Sequence, residues 1–193
     1  MIEHIEDLPA SPPSLYINLE GVNFSRHGTI LILQIHVSPH DKTYLVDVHT
    51  LNKECVTYKT ASGTKNLKTI SNALYGRFRI NLAGVHDLQL IELATRTFPK
   101  KYVNGLARCI ENNAESNKGE GTQVNRPLAK DIIKYCVQDV QFLSKLWKAY
   151  DKRLTTRWRV KVEAEACNRV RQSQSSVYTG DGKHLAIAPK GWA

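Results

Sequence analysis

Two pairs of residues in the 193-residue chain have types and spacing that suit chemistry. Asn18 and Glu20 lie two apart in Leu-Tyr-Ile-Asn-Leu-Glu-Gly, residues 15–21. In an extended chain, side chains two apart share a face. The amide and the carboxylate would then stand together at a strand end, with Leu15, Ile17 and Leu19 on the opposite face. A polar pair placed there, just before a glycine, is either a reactive or ligand-binding position or the solvated face of an edge strand. Tyr135 and Asp139 lie four apart in Tyr-Cys-Val-Gln-Asp, a spacing that puts both on one face of a helix. Taken alone, that pair also fits an ordinary solvated helix face.

The surrounding pattern supplies elements able to position both pairs. Residues 11–14, Ser-Pro-Pro-Ser, interrupt any preceding structure and lead into the first strand. A polar turn at 23–28 follows, then the run 29–37, Thr-Ile-Leu-Ile-Leu-Gln-Ile-His-Val, apolar enough to be buried on both faces. A turn at 39–41 precedes a third strand at 43–48, so three strands on short turns form an antiparallel meander. Residues 52–63 read as a loop, 66–70 as a short helical turn, and 71–79 as a helix capped by Ser71. A short strand at 85–87 leads into a helix at 88–97, capped by Asp87 and stopped by Pro99. A short helix is expected at 105–112 and a polar, glycine-containing loop at 113–125. The strongest helical periodicity runs over 127–150, with Pro127 at its start. A basic helix follows at 155–171, and the tail from Gln172 is expected to pack poorly. The chain divides on this reading into a domain at 14–150 and a basic C-terminal helix with a flexible tail at 151–193.

Composition narrows the class. Apolar residues make up 41% and charged residues 23%, values of a globular chain with a core. No run of 18 apolar residues is present, so no membrane partner is expected. The acidic start, Met-Ile-Glu-His-Ile-Glu-Asp, does not read as a secretory signal. Cys55, Cys109, Cys136 and Cys167 match no metal spacing and read as reduced, mostly buried thiols of an intracellular protein, cytoplasmic or nuclear. The formal charge of +9 favours polyanionic partners, or simply makes a soluble basic protein. The stretch from Lys152 to Arg171, with Arg157, Arg159 and Lys161, suits contact with backbone phosphates and equally a solvated helix face. His27, His36, His40, His49 and His86 show no ligand spacing, and Asp47 reads as a turn residue.

The ordered succession Tyr-Ile-Asn-Leu-Glu-Gly, Gly-Thr-Ile-Leu-Ile-Leu-Gln-Ile, Tyr-Leu-Val-Asp, Gly-Val-His-Asp-Leu-Gln-Leu and Tyr135-Cys-Val-Gln-Asp139-Val resembles the RNase D-like 3′-5′ exonuclease domain. This is the DEDDy branch of the ribonuclease H-like superfamily, in its fungal exonuclease-domain form, and the resemblance covers about residues 15–150. It implies an α/β fold in which a mixed sheet, an antiparallel meander plus parallel addition, is flanked by helices. It also implies hydrolysis of nucleic acid, RNA or DNA, by two divalent ions, Mg²⁺ or Mn²⁺, held by carboxylates. In the family an Asp and a Glu two apart on the first strand, a second Asp, and a helical Asp four residues after a Tyr make the site. The Tyr orients the attacking water.

Carried over position by position, the resemblance assigns catalytic roles to Glu20, Tyr135 and Asp139, with Glu20 and Asp139 as metal ligands. Asn18 occupies the place of the first Asp, and a neutral amide cannot bridge two cations as a carboxylate does. The second Asp is also missing, since Ile70 falls near its place and nothing between Gly63 and Leu82 reads as the central strand expected there. Asn72, nearby on the helix, is not promoted to a ligand. The expectation is therefore an exonuclease-family protein that acts on or binds nucleic acid, with hydrolysis impaired because two of four carboxylates are gone. The alternatives are a working exonuclease, a non-catalytic module for nucleic acid or protein, and the truncated product of a misannotated gene.

Overall fold

The computed structural model describes residues 7–22, 26–51, 62–63, 67–97, 99–111, 126–180 and 182–192. Four strands form one sheet in the order β3-β2-β1-β4. β1 (Leu15–Val22), β2 (Thr29–Val37) and β3 (Lys42–Asp47) make the expected antiparallel meander. β4 (Ser62–Gly63) adds to β1 in parallel, opposite Tyr16 and Ile17. The parallel addition is thus present as two residues at the end of a segment that reads as loop in the sequence. From there to Leu82, the described residues hold only a helix.

Alternation sets the two faces of the sheet. Tyr16, Asn18 and Glu20 of β1 stand in cross-strand rows with His36, Gln34 and Ile32 of β2, and these with Thr43, Leu45 and Asp47 of β3. Leu19, Leu33 and Ile35 face the other way into the core. Immediately after Glu20 the register slips: Glu20 pairs with Ile32 but Gly21 with Ile30, leaving Leu31 unopposed in a bulge. The polar end of β1 therefore sits where the ladder bends.

Six α-helices accompany the sheet among the described residues. α1 (Val48–Leu51) is a single turn held by Asp47, whose carboxylate accepts from the Thr50 backbone N–H and hydroxyl. α2 (Leu67–Phe78) is one continuous helix where two short pieces are expected, and Ser71 lies buried within it rather than at its cap. Residues 85–87 pair with no strand among the described residues. Asp87 is extended because it is the N-cap of α3 (Leu88–Thr95), accepting from the N–H groups of Gln89 and Leu90. α4 (Leu106–Glu111) is short. α5 (Lys130–Asp151) begins three residues after Pro127, so Pro127 precedes the helix rather than opening it. α6 (Thr156–Gln174) starts from Thr155, whose hydroxyl accepts from the Trp158 N–H.

α5 covers β1, β2 and β3, while α6 packs on α2 and α3. Cys136, Val140, Leu143, Trp147 and Tyr150 recur at three and four along α5, giving the buried stripe its periodicity promises. Val162, Ala166 and Val170 bring α6 into the same core. Deep between α3 and α6, Arg169 donates to Asp87 at 2.9 Å, with both side chains all but removed from solvent. Asn72 closes another junction: it accepts from the Arg26 N–H at 2.7 Å and donates to the Ser173 carbonyl at 2.6 Å. Asn72 is thus a buried clamp rather than a ligand.

The C-terminal tail is packed, contrary to expectation. Val103 N–H donates to the Ala186 carbonyl, Ala188 N–H donates to the Lys101 carbonyl, and Trp192 sets its edge on Trp158 with ring centroids 5.0 Å apart. Two aromatic rings 34 positions apart in sequence hold it, a contact that local composition does not reveal. Cys109 and Cys136 are buried as expected and Cys167 is exposed. Cys55 and the loop at 113–125 lie outside the described residues.

Candidate functional site

Asn18 and Glu20 do share one face of β1, and α5 crosses that face. Tyr135 feels the charge of Glu20, while Tyr16 and His36, toward the other end of the sheet, feel Asp151 and Lys148. α5 thus runs antiparallel to β1, its first turns beside Glu20 and its last beside Tyr16. Glu20, Tyr135 and Asp139 are brought together where the sequence places them.

Asn18 is completely buried, and both hydrogens of its side-chain amide are used. Nδ2 donates to Gln34 Oε1 at 3.0 Å and to Glu20 Oε1 at 3.2 Å. The carboxylate dictates this orientation, because the flipped amide would set its oxygen against Glu20. Asn18 Oδ1 and Gln34 Nε2 are left buried without a partner among the described residues. On the helix side, Tyr135 and Asp139 are hydrogen-bonded to each other; burial first, and then the charge of Asp139, push the phenol well above the usual tyrosine range. Tyr135 therefore stays a neutral donor toward Asp139.

Gln34 joins the candidate site although the sequence does not single it out: its signal is a lone amide inside an apolar strand, meaningful only once the register sets it opposite Asn18. Further along the same face, Tyr16 lies beside His36, which contacts the Thr43 hydroxyl at 3.1 Å. Burial pushes the Tyr16 phenol up to about 12. Asp47, in the same row as Glu20 but two strands away, is engaged by Arg126 through a paired contact at 2.7 and 2.9 Å. That guanidinium holds its carboxyl well below the usual carboxylate range.

The donor set among the described residues does not fit a pair of divalent ions. Among the described residues no three His, Cys, Asp or Glu side chains gather as a metal-binding group. Glu20 and Asp139 supply two carboxylates, and the position between Glu20 and Gln34 is filled by an amide that turns N–H bonds, not an anionic oxygen, toward Glu20. Ile70 is a buried core side chain and supplies no ligand.

The basic positions lie on α6, which packs on α2 and α3 rather than over the sheet. Arg157 is exposed, Arg159 is paired with Asp151 at 2.6 Å, and Lys161 sits over the Trp158 ring.

No family model and no curated protein matches the chain. Solved structures do. RNase D of Trypanosoma brucei in complex with RNA U12 superposes with a TM-score of 0.71 at 16% identity, over 92% of this chain and 70% of that one. The chain has the fold of the RNase D-like 3′-5′ exonuclease domain. The catalytic core of RRP6 from Trypanosoma brucei gives a TM-score of 0.64 at 17% identity, over 81% of this chain and 45% of that one. NrnC of Brucella melitensis bound to pGG gives 0.64 at 15% identity, over 86% and 90%, and a further structure of NrnC holds Mg²⁺. Within this fold the α5 crossing is what sets Tyr135 beside Glu20, while the two-residue β4 pairs with the other end of β1.

Proposed function

We propose that the protein is a nucleic-acid-binding relative of the RNase D-like exonucleases that does not cleave by the two-metal route. The observation that carries this reading is the Asn18 amide held between Glu20 and Gln34. It puts a neutral donor where a metal pair needs an anion. A carboxylate pair without its cations is a poor host for a phosphodiester, so catalysis fails while the fold persists. Binding is supported by the formal charge of +9 and by neighbours solved with RNA or a dinucleotide.

The test is a purified sample with 3′-labelled and 5′-labelled single-stranded RNA and DNA, in Mg²⁺ and separately in Mn²⁺. The expected result is intact oligonucleotide together with binding that weakens as salt rises. Metal-dependent shortening from the 3′ end, abolished by Glu20→Gln, would establish a working exonuclease instead and overturn the proposal. A sample that neither cuts nor binds would remove the nucleic-acid function altogether.

A further inference from the structure

A basic and aromatic surface is built from three separated pieces of chain. Trp158, in the first turn of α6, carries Lys100 Nζ 4.5 Å and Lys161 Nζ 4.8 Å from its ring centroid, and Trp192 packs against it. Two residues after Lys100, Tyr102 pairs with Ile187 across an isolated bridge, remains 49% exposed, and has Lys101 Nζ 5.4 Å from its ring. Arg157 is exposed next to Trp158 in sequence, and Lys190 is exposed in the turn that delivers Trp192.

Two cations of this surface, Lys100 and Lys161, make no ion-pair contact among the described residues. Lys100 donates to the Ala94 carbonyl at the end of α3. Its ammonium lies below the usual lysine range because of burial first and then Arg96, with Glu92 opposing the shift and Lys161 adding to it. Arg159, the neighbouring cation that is neutralised by Asp151, shows what the others lack. Cations held on aromatic rings beside an exposed tyrosine form the arrangement that tracks a phosphate backbone and offers a base a stacking face.

We propose that residues 100–102, the start of α6 and the 188–192 turn together dock the phosphate backbone of single-stranded nucleic acid. This rests on the reading of the protein as a nucleic-acid binder and adds where the strand is held. Lys101, Arg157, Lys161 and Lys190 engage phosphates and Tyr102 stacks a base. The tail is part of the surface, since it carries Lys190 and anchors itself through Trp192.

The experiment measures binding of a fluorescent single-stranded oligo-U to the full chain across a salt series. The compared proteins are wild type, the variant Lys101→Glu/Arg157→Glu/Lys161→Glu/Lys190→Glu, the variant Tyr102→Ala, and a control, Arg108→Glu/Arg171→Glu, at exposed positions elsewhere. Circular dichroism confirms that each retains its fold. The patch variant is expected to bind at least about tenfold more weakly, and its log–log salt slope to flatten by about 0.7 for each phosphate it no longer neutralises. Tyr102→Ala is expected to weaken binding with the slope unchanged, and the control to keep most of the wild-type affinity. Wild-type binding that the patch variant retains, or that the control loses equally, overturns the docking surface and leaves the proposed function standing. No wild-type binding to oligo-U overturns both, and capture of poly-glutamate in its place would assign the surface to an acidic protein.

Discussion

Replacing Asn18 by Asp tests whether the amide is what keeps metal out of this site. The substitution puts a second carboxylate where Nδ2 now sits, 3.2 Å from Glu20 Oε1. Two unit charges at that 3.2 Å separation repel by about 5 kcal/mol at an effective dielectric constant near 20. The new group can escape this by keeping its proton, which at pH 7 costs about 4 kcal/mol, roughly three pH units at 1.36 kcal/mol each. The smaller figure is the ceiling. Gln34 lowers it further, because its unpartnered Nε2 can turn to donate to the new carboxylate. A loss of about 2–4 kcal/mol lowers the melting temperature by about 5–15 °C for a chain of this size.

A divalent cation should reverse that loss. Binding at about one hundred times its dissociation constant stabilises by about 2.7 kcal/mol, or about 5–10 °C here. The assay is a thermal melt of wild type and Asn18→Asp in chelator, in Mg²⁺ and in Mn²⁺ at matched ionic strength. Wild type is expected to melt at one temperature in all three, and the variant to melt low in chelator and recover with metal. If the variant in chelator melts with wild type, Asn18 does not face Glu20 in the way argued. If wild type gains as much from Mg²⁺ as the variant does, the present donor set accepts the metal and the reasoning fails at its first step.

Three other outcomes follow from the packing. Arg169→Met strands a buried Asp87 carboxylate, for which about 3–5 kcal/mol of stability is expected to be lost in chemical denaturation, while Asp87→Asn/Arg169→Met recovers part of it because asparagine still caps α3. Gly76→Ala is expected to destabilise despite a helix-propensity gain of about 1 kcal/mol, since the added Cβ would meet Arg26 Cβ at 2.6 Å and its Cα at 3.1 Å; a raised melting temperature would refute that contact. Tyr16 carries a raised pKa, so the stability it contributes is complete below the ordinary tyrosine value near 10 and is lost as pH rises toward about 12. Tyr16→Phe removes a buried hydroxyl with no partner among the described residues, so it is expected to hold its stability at neutral pH and to lose less of it over that alkaline range.

What the sequence made legible was what spacing alone determines. Residues two apart on a strand and four apart on a helix share a face whatever lies beyond them, so spacing pairs Asn18 with Glu20 and Tyr135 with Asp139, while only the family resemblance joins the two pairs into one site. Asp87 was legible as a cap for the same reason, since an acidic residue before an apolar helix has one local use. Ser71 looked equally suited, yet the four residues before it continue the helix, and a hydroxyl cannot cap what does not end. Gln34 and Trp192 depend instead on pairing at a distance. Gln34 sits in an apolar run and acquires its role only from the register that sets it opposite Asn18, sixteen positions away. Trp192 closes a tail of polar composition because Trp158 waits for it on α6. The same distinction bears on catalysis. The family resemblance marks position 18 as the place of a missing charge, which leaves open whether a neighbour restores it. The structure supplies the neighbour, and it is neutral. Gln34 accepts one hydrogen of Asn18, Glu20 accepts the other, and Tyr135 donates to Asp139, so both carboxylates of the site already receive hydrogen bonds from uncharged groups. A site whose carboxylates are satisfied by amide and phenol donors has less need of a cation, and that is the physical ground for expecting no two-metal hydrolysis.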